Sequence, residues 1–246
     1  FSYKIIPSLS WRAIVSRGYS PPTLAEVRTA NNIINTTLEP EKGWNYETGF
    51  RFKTANTRIY IDLAGFYFNL DNAIVRRTNE TGIEYFVNSG GTHQWGAELQ
   101  FDIIAIERYD GWIRKLKLCR SYTFSYFKFG QYSNGENDYS HHFVTGVPKH
   151  LAITGAEAEL SHKIFVFIQY QFTSKIPLND AGSVYAKNSH LVQVKLTWTT
   201  DLLKKFRTSF FAGVDNLLDW KYSLGYDLNA AGVRYSHPAP GRNFYG

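Results

Sequence analysis

The sequence predicts an all-β fold, an antiparallel transmembrane β-barrel wall of about ten strands, and three observations predict it. Runs of roughly 9–11 residues alternate apolar and polar side chains, the length a tilted strand needs to cross a bilayer. The connections between these runs alternate between long polar loops and short turns, the asymmetry of outer-membrane barrels with short periplasmic turns and longer extracellular loops. The 246 residues are 17% aromatic, with 17 Tyr and 18 Phe, yet the mean hydropathy is -0.32. Strands with one side toward lipid and the other toward water average out in this way. Alternation alone fits a soluble β-sandwich or propeller equally well. A soluble meander, however, has no reason to keep all its long loops at one end.

Taken in order, residues 1–16 read as a first strand, with Leu9, Trp11, Ala13 and Val15 on one face, Ser8, Ser10 and Arg12 on the other, and Pro7 at its entry, because proline cannot donate to an interior ladder. A long loop follows from Arg17 to Lys42. Residues 43–53 set Trp44, Tyr46, Thr48, Phe50 and Phe52 against Asn45, Glu47, Gly49, Arg51 and Lys53. After a short turn at 54–57, residues 58–70 form a strand with less distinct faces, since Tyr60, Phe66 and Phe68 share a phase with Asp62. The excursion 71–92 carries a hairpin around Asn79–Gly82.

Residues 93–104 alternate again, with Trp95, Ala97, Leu99, Phe101 and Ile103 on one side. The strand 112–129 places Arg120 on its apolar phase. A lipid-facing arginine costs about 2–4 kcal/mol at the bilayer midplane and little at its edge, so the sequence predicts an interfacial position or a bulge there. Residues 130–149 are loop. Strands at 150–160 and 164–173 meet at the tight turn Ser161-His162-Lys163, 174–188 is loop, and 189–200 alternates well. After a turn at 201–206, a strand runs from Arg207 to Tyr222, and the last strand begins near Pro238.

Composition excludes several classes. No run approaches the roughly 20 apolar residues of a membrane helix. A net charge of +6 draws anions toward a pore or suits anionic headgroups, and no basic face carries a nucleic-acid motif, so no nucleic-acid partner is expected. The single cysteine, Cys119, permits no intrachain disulfide, and no zinc pattern is present. No nucleophile elbow or metalloprotease helix appears. The chain is therefore expected to be no enzyme and to hold no metal or cofactor. Glu157 and Glu159 share a strand face and read as polar residues of a wet interior. The chain opens at Phe1 inside a strand pattern and contains no Met, which reads as a piece of a longer protein.

Short segments in fixed order carry a resemblance. They are Arg17-Gly18-Tyr19-Ser20-Pro21-Pro22-Thr23-Leu24-Ala25-Glu26; Leu38-Glu39-Pro40-Glu41-Lys42 followed by Tyr46-Glu47-Thr48-Gly49; Phe86-Val87-Asn88-Ser89-Gly90 with Gly96-Ala97-Glu98-Leu99; Gly146-Val147-Pro148-Lys149-His150; and the end, Asn216-Leu217-Leu218-Asp219-Trp220-Lys221-Tyr222 with Pro238-Ala239-Pro240-Gly241-Arg242. Each is weak alone, and together they resemble the C-terminal part of TonB-dependent outer-membrane receptors across essentially the whole chain. The resemblance implies a bacterial outer-membrane location and a fragment of a roughly 22-stranded barrel with a plugged lumen. It places the plug domain, the TonB-contacting segment and about a dozen strands upstream of Phe1. The family's final strand runs further past the Pro-Gly-Arg segment, so the last strand here reads as truncated.

The implied function is active import of a ferric siderophore or related iron chelate. TonB is then a partner acting through the plug, and outer-membrane lipid or lipopolysaccharide is the surrounding partner. Receptors for cobalamin or an oligosaccharide, and a passive porin or adhesin barrel, are the alternatives. Anionic chelates call for Arg or Lys with aromatic walls. The loop candidates are Arg17, Tyr19, Arg28, Tyr132, Tyr139, His141, His142, Tyr185 and Arg234. Asn216, Asp219, Pro240, Gly241 and Arg242 are expected to shape the backbone: Asn and Asp bond local main chain, and Gly241 permits a bend.

Overall fold

The computed structural model describes residues 1–28, 34–78, 81–88, 90–134, 137–202, 206–230, 232 and 234–246. Eleven strands form one antiparallel sheet in which each pairs with its neighbours in sequence. They are β1 (Ser2–Ile6), β2 (Leu9–Ser20), β3 (Glu41–Lys53), β4 (Ile59–Asp71), β5 (Thr92–Glu107), β6 (Ile113–Phe129), β7 (His150–Leu160), β8 (Ile164–Thr173), β9 (Ser189–Leu202), β10 (Phe206–Asp215) and β11 (Asn243–Tyr245). Short connections, of two to five residues, join β1–β2, β3–β4, β5–β6, β7–β8 and β9–β10 at one end, and every long loop lies at the other. The wall is thus a meander of hairpins, the connectivity of up-and-down barrels.

The two faces differ in kind. Register places Trp11, Phe50, Leu63, Leu99 and Tyr122 in one row and Ser10, Arg51, Asp62, Gln100 and Ser121 in the next. The first face is apolar and open: Trp44, Trp95, Leu196 and Trp198 are 43%, 46%, 49% and 48% exposed. The second carries the ionic network. Asp62 takes Arg12 Nη1 at 2.5 Å and Arg51 Nη2 at 2.7 Å, Arg12 Nε reaches Glu47 at 3.2 Å, and Lys117 Nζ reaches Asp102 at 3.3 Å. Glu157 and Glu159 stand on this second face opposite Lys117 and Lys115. Among the described residues no large side chain is fully enclosed, as expected of a single curved sheet without an opposing layer. Most of the buried residues gather at the long-loop end instead, among them Arg77, Phe129, Tyr132, Leu178, Asp180, Ala186 and Asn216.

Several boundaries differ from the sequence reading. Residues 1–16 are a hairpin rather than one strand: Ile6 pairs with Leu9 around a turn at Pro7-Ser8, and Tyr3 faces Trp11. Proline fixes φ for a turn entry, and here it turns the chain rather than starting it. β2 continues to Ser20, so the loop begins later than Arg17. β10 ends at Asp215 because Asn216 takes φ 50°, a left-handed conformation that Asn tolerates. Pro238 closes a ribbon within the last loop, Ser223–Tyr226 with Ser236–Pro238, and the final wall strand begins at Asn243. The ribbon Ile74–Thr78 with Glu84–Asn88 flanks the expected hairpin tip; Asn79 itself lies outside the described residues.

The mixed phase of β4 has a packing reason. Phe66 and Phe68 lie on the polar face over glycines: a Cβ on Gly96 would fall 2.7 Å from the Phe66 ring, and one on Gly43 2.6 Å from Phe68. Arg120 lies on the apolar face opposite Phe101 and Thr154, with the register unbroken around it. The bulge alternative is therefore excluded. Cys119 faces the other way, its Sγ filling the space that the missing side chain of Gly155 leaves.

Candidate functional site in the long loops

The long loops close over one end of the wall and are tied at one carboxylate. Asp180, in the loop 174–188, is 4% exposed. Its Oδ2 accepts from Arg77 Nη1 at 2.5 Å and from the Tyr132 hydroxyl at 2.9 Å. Its Oδ1 accepts from the Thr145 hydroxyl at 2.5 Å and Asn229 Nδ2 at 3.1 Å. The Asp180 amide donates to Asn229 Oδ1 at 3.0 Å, and its carbonyl lies 3.0 Å from His142 Nδ1. The donors come from the loops 72–91, 130–149 and 216–242, so four loops converge on one side chain. The Arg77 guanidinium also stacks over Tyr132, 4.7 Å from the ring centroid. Its Nε and Nη2 are buried without a hydrogen-bond partner among the described residues.

Beside this node lies a cleft of about 720 Å³ whose lining includes Tyr185, Lys187, Lys221, Tyr222, Tyr226 and Arg234. Among the described residues no Asp or Glu lines it. Lys175 Nζ sits 4.8 Å over the Tyr185 ring, adding a cation behind that wall. Cations and aromatic faces without a competing acid are what a planar anion needs, through charge-assisted hydrogen bonds and stacking. A smaller cleft of about 240 Å³ is lined by Arg77, Tyr139, Asn179, Asp180, Asn229 and Tyr235 among others. Tyr235 borders both clefts.

The candidates from sequence divide accordingly. Tyr185 and Arg234 share the larger cleft. Tyr139 lines the smaller one, its ring 6.0 Å from both Tyr132 and His142. Tyr132 is 4% exposed and spent on Asp180, so it braces the loops. His141 takes φ 64° and borders another hollow with Asp138 and Ser140. There Ser140 donates its hydroxyl and its backbone N–H, the latter at 2.8 Å, to Asp138 and holds that carboxyl below the usual range. Arg28 follows the short helix Leu24–Val27 and donates its N–H to Leu24.

Arg17 and Tyr19 are corrected: they stand on β2 rather than in a loop, on the apolar face, with Arg17 5.7 Å over Trp44. Sequence reasoning missed Arg77, Thr145, Asp180 and Asn229. Asp180 lies 103 residues from Arg77 and 35 from Thr145, and no local pattern marks such a junction.

The closing segment is held by its own polar groups. Asn216 Oδ1 accepts from the Trp220 amide at 2.8 Å and Nδ2 donates to the Trp220 carbonyl at 2.9 Å. Asp219 Oδ1 accepts from the Arg242 amide at 2.9 Å, and Arg242 Nε donates to the Leu217 carbonyl at 2.9 Å. A Cβ at Gly241 would come within 2.9 Å of that same Asp219 oxygen. Pro240 precedes it at the exposed lead into β11. Among the described residues no group of His, Cys, Asp and Glu is placed to hold a metal ion, and no helix is long and apolar enough to cross a membrane.

Comparison with known proteins follows the same lines. The family model described as TonB dependent receptor-like, beta-barrel, matches residues 1–217. Among solved structures, the siderophore receptor PiuA from Acinetobacter baumannii superposes with a TM-score of 0.75 at 17% identity, over 99% of this chain and 34% of that one. BauA, the ferric preacinetobactin receptor from Acinetobacter baumannii, gives 0.72 at 18% identity, over 99% and 34%. The copper transporter OprC gives 0.70 at 15% identity, over 99% and 37%. The chain thus spans about a third of the length of these structures.

Proposed function

This chain belongs to the TonB-dependent receptor-like β-barrel family, and from that premise we propose that it supplies wall strands and capture loops to a receptor importing a ferric siderophore or related iron chelate. Membership makes it an outer-membrane β-barrel wall of the receptor and transporter class, not an enzyme. The polar face then lines the lumen, the apolar face meets lipid, and the long loops are extracellular. The observation that carries the iron-chelate reading is the cleft of Tyr185, Lys187, Lys221, Tyr222, Tyr226 and Arg234 at the loop end, without an acid among the described residues that line it. Siderophore receptors among the structural neighbours support it. TonB is the energy-coupling partner, acting through a plug outside these residues, and outer-leaflet lipid surrounds the wall.

The test is uptake of radiolabelled ferric chelates by a gene-deletion strain carrying either the native receptor or Lys187→Ala/Lys221→Ala/Arg234→Ala. Loss of three charge-assisted contacts weakens binding by roughly a hundredfold or more, with the protein still in the membrane. If deletion leaves growth unchanged on every iron source under restriction, the iron assignment fails. A second reading, import of a different metal complex, is favoured by one observation, the likeness to a copper transporter. Copper-dependent rather than iron-dependent rescue distinguishes it.

A further inference from the structure

Arg77 is the one buried arginine among the described residues, 6% exposed. Three contacts fix its plane. Its backbone belongs to the ribbon Ile74–Thr78 with Glu84–Asn88, where it pairs with Tyr85. Its Nη1 donates to Asp180 Oδ2 at 2.5 Å, and the Tyr132 ring centroid lies 4.7 Å from the guanidinium carbon. The other edge, Nε with Nη2, is buried and has no acceptor among the described residues. That edge is the fork that takes the two oxygens of a planar anion side-on. Arg76 shows the ordinary case: it is exposed, and its Nη1 meets Glu84 at 3.0 Å. An exposed arginine leaves its remaining N–H groups to water, whereas a buried one bears the desolvation of each unmet donor.

Arg77 lines the cleft of about 240 Å³, and among the described residues that lining holds no other cation and one acid, Asp180. Asp180 is already saturated by Arg77 Nη1, Tyr132, Thr145 and Asn229. The two amide side chains of the lining are engaged as well. Asn179 Oδ1 accepts from the Ser183 and Val184 amides, and Asn229 is bonded to Asp180. The hydroxyls of Tyr139 and Tyr235 have no partner among the described residues. The fork and these two hydroxyls come from the loops 72–91, 130–149 and 216–242, three of the four that Asp180 ties.

We propose that the smaller cleft is a second anion site, which seats one small free monocarboxylate on the Nε–Nη2 edge of Arg77, with the Tyr139 and Tyr235 hydroxyls as further donors, and that filling it holds the loop cluster shut. The site goes beyond the transport reading and does not depend on which chelate the larger cleft takes. Charge selects the ligand. Arg77 and Asp180 already cancel, so a monoanion leaves one net charge where a phosphate dianion leaves two. Size selects it too, because a water's share of liquid volume is about 30 Å³, and the cleft has room for only a few heavy atoms. The fork is shut from water in this arrangement, so the anion enters as the loops part. Once seated it bonds to three loops at once, and the fixed guanidinium plane needs no reordering to receive it.

The test is hydrogen–deuterium exchange of the full-length receptor in detergent at neutral pH and constant ionic strength, with sodium acetate, sodium phosphate or sodium chloride added. Acetate should slow exchange in peptides from 74–88, 130–149 and 223–230 by about tenfold at ten times its Kd. That Kd is on the order of 1 mM for so small a ligand. Phosphate and chloride should leave these peptides unchanged. Tyr139→Phe/Tyr235→Phe removes two donors and keeps both rings, and should raise the acetate Kd about tenfold or more. Arg77→Lys keeps a charge beside Asp180 without the fork and should abolish the effect. Should that variant loosen the loops before any anion is added, the tyrosine pair carries the test. Equal exchange in acetate and chloride overturns the proposal, and so does an acetate effect undiminished in the tyrosine pair. Equal slowing by phosphate overturns the carboxylate assignment. A carboxylate also arrives as the arm of a chelate seated in the larger cleft, across the shared Tyr235. Competition between ferric citrate and acetate overturns the free anion in favour of that arm; independent binding supports it. Acetate carries no iron, so failure here leaves the transport reading standing.

Discussion

Replacing Asp180 with alanine should unfasten four long loops together. Asp180 and Arg77 are 5% and 6% exposed at their side chains and lie 2.5 Å apart. Removing one member of such a buried pair costs about 3–5 kcal/mol, because the other charge is left without water or a partner. Tyr132, Thr145 and Asn229 lose an acceptor as well, though each regains hydrogen bonds if it reaches solvent. At 1.4 kcal/mol per power of ten, the opening equilibrium of the loop cluster moves by roughly two to nearly four powers of ten. The wall takes no part in the node and should keep its protection. Hydrogen–deuterium exchange of the detergent-solubilised receptor reads this directly. Uptake should rise in peptides from 74–88, 130–149, 174–188 and 223–230, with β3 to β9 unchanged. The double variant Arg77→Met/Asp180→Leu removes both charges and should cost less than either single change. Faster exchange confined to 174–188, or a double variant costing the sum of the singles, would refute the idea of a shared carboxylate tie.

Other predictions follow from the wall and its edges. Gly213→Val should detach the last strand, because a Cβ there would meet the Tyr245 ring at 2.4 Å; a spin label at Asn243 should gain mobility, and an unchanged spectrum counts against this packing. Arg120→Leu should stabilise the barrel in lipid by up to about 2 kcal/mol if the arginine reaches the hydrocarbon, read as a higher urea midpoint; a lower midpoint places it in a headgroup pairing instead. The Asp138 carboxyl is held below its usual range by Ser140, so its contribution is present above the ordinary carboxylate pKa and is lost only as pH falls through the lowered value. The Ser140 amide resonance should therefore titrate below the usual range for aspartate, and a midpoint at the ordinary value would contradict it.

Much of this wall can be read from the sequence because a strand's period is two, and a one-sided environment writes that period into the residues. The same arithmetic explains the missed first hairpin. Its turn has two residues, and an irregularity between Lys4 and Ile6 shifts the register so that Tyr3 pairs with Trp11; odd-numbered residues therefore face outward on both strands away from the turn, and hydropathy shows no change of phase. The overlong β10 has a similar cause: Asn216 stops the strand through its φ of 50°, which hydropathy does not record. Tyr185 and Arg234 were legible as cation and aromatic types in polar loops, but not as partners across one cleft. The Asp180 node depends on which residues become neighbours across loops.

The central claim is that alternate residues of each strand meet hydrocarbon and water. Single cysteines from Val192 to Thr199, in a Cys119→Ser background and carrying a nitroxide label, test it most directly in the receptor reconstituted in lipid. Collision rates with oxygen should peak at Val192, Val194, Leu196 and Trp198, and those with a water-soluble nickel chelate at Gln193, Lys195, Thr197 and Thr199. Uniformly low accessibility to both reagents along this segment, the signature of a dry interior, would contradict the account.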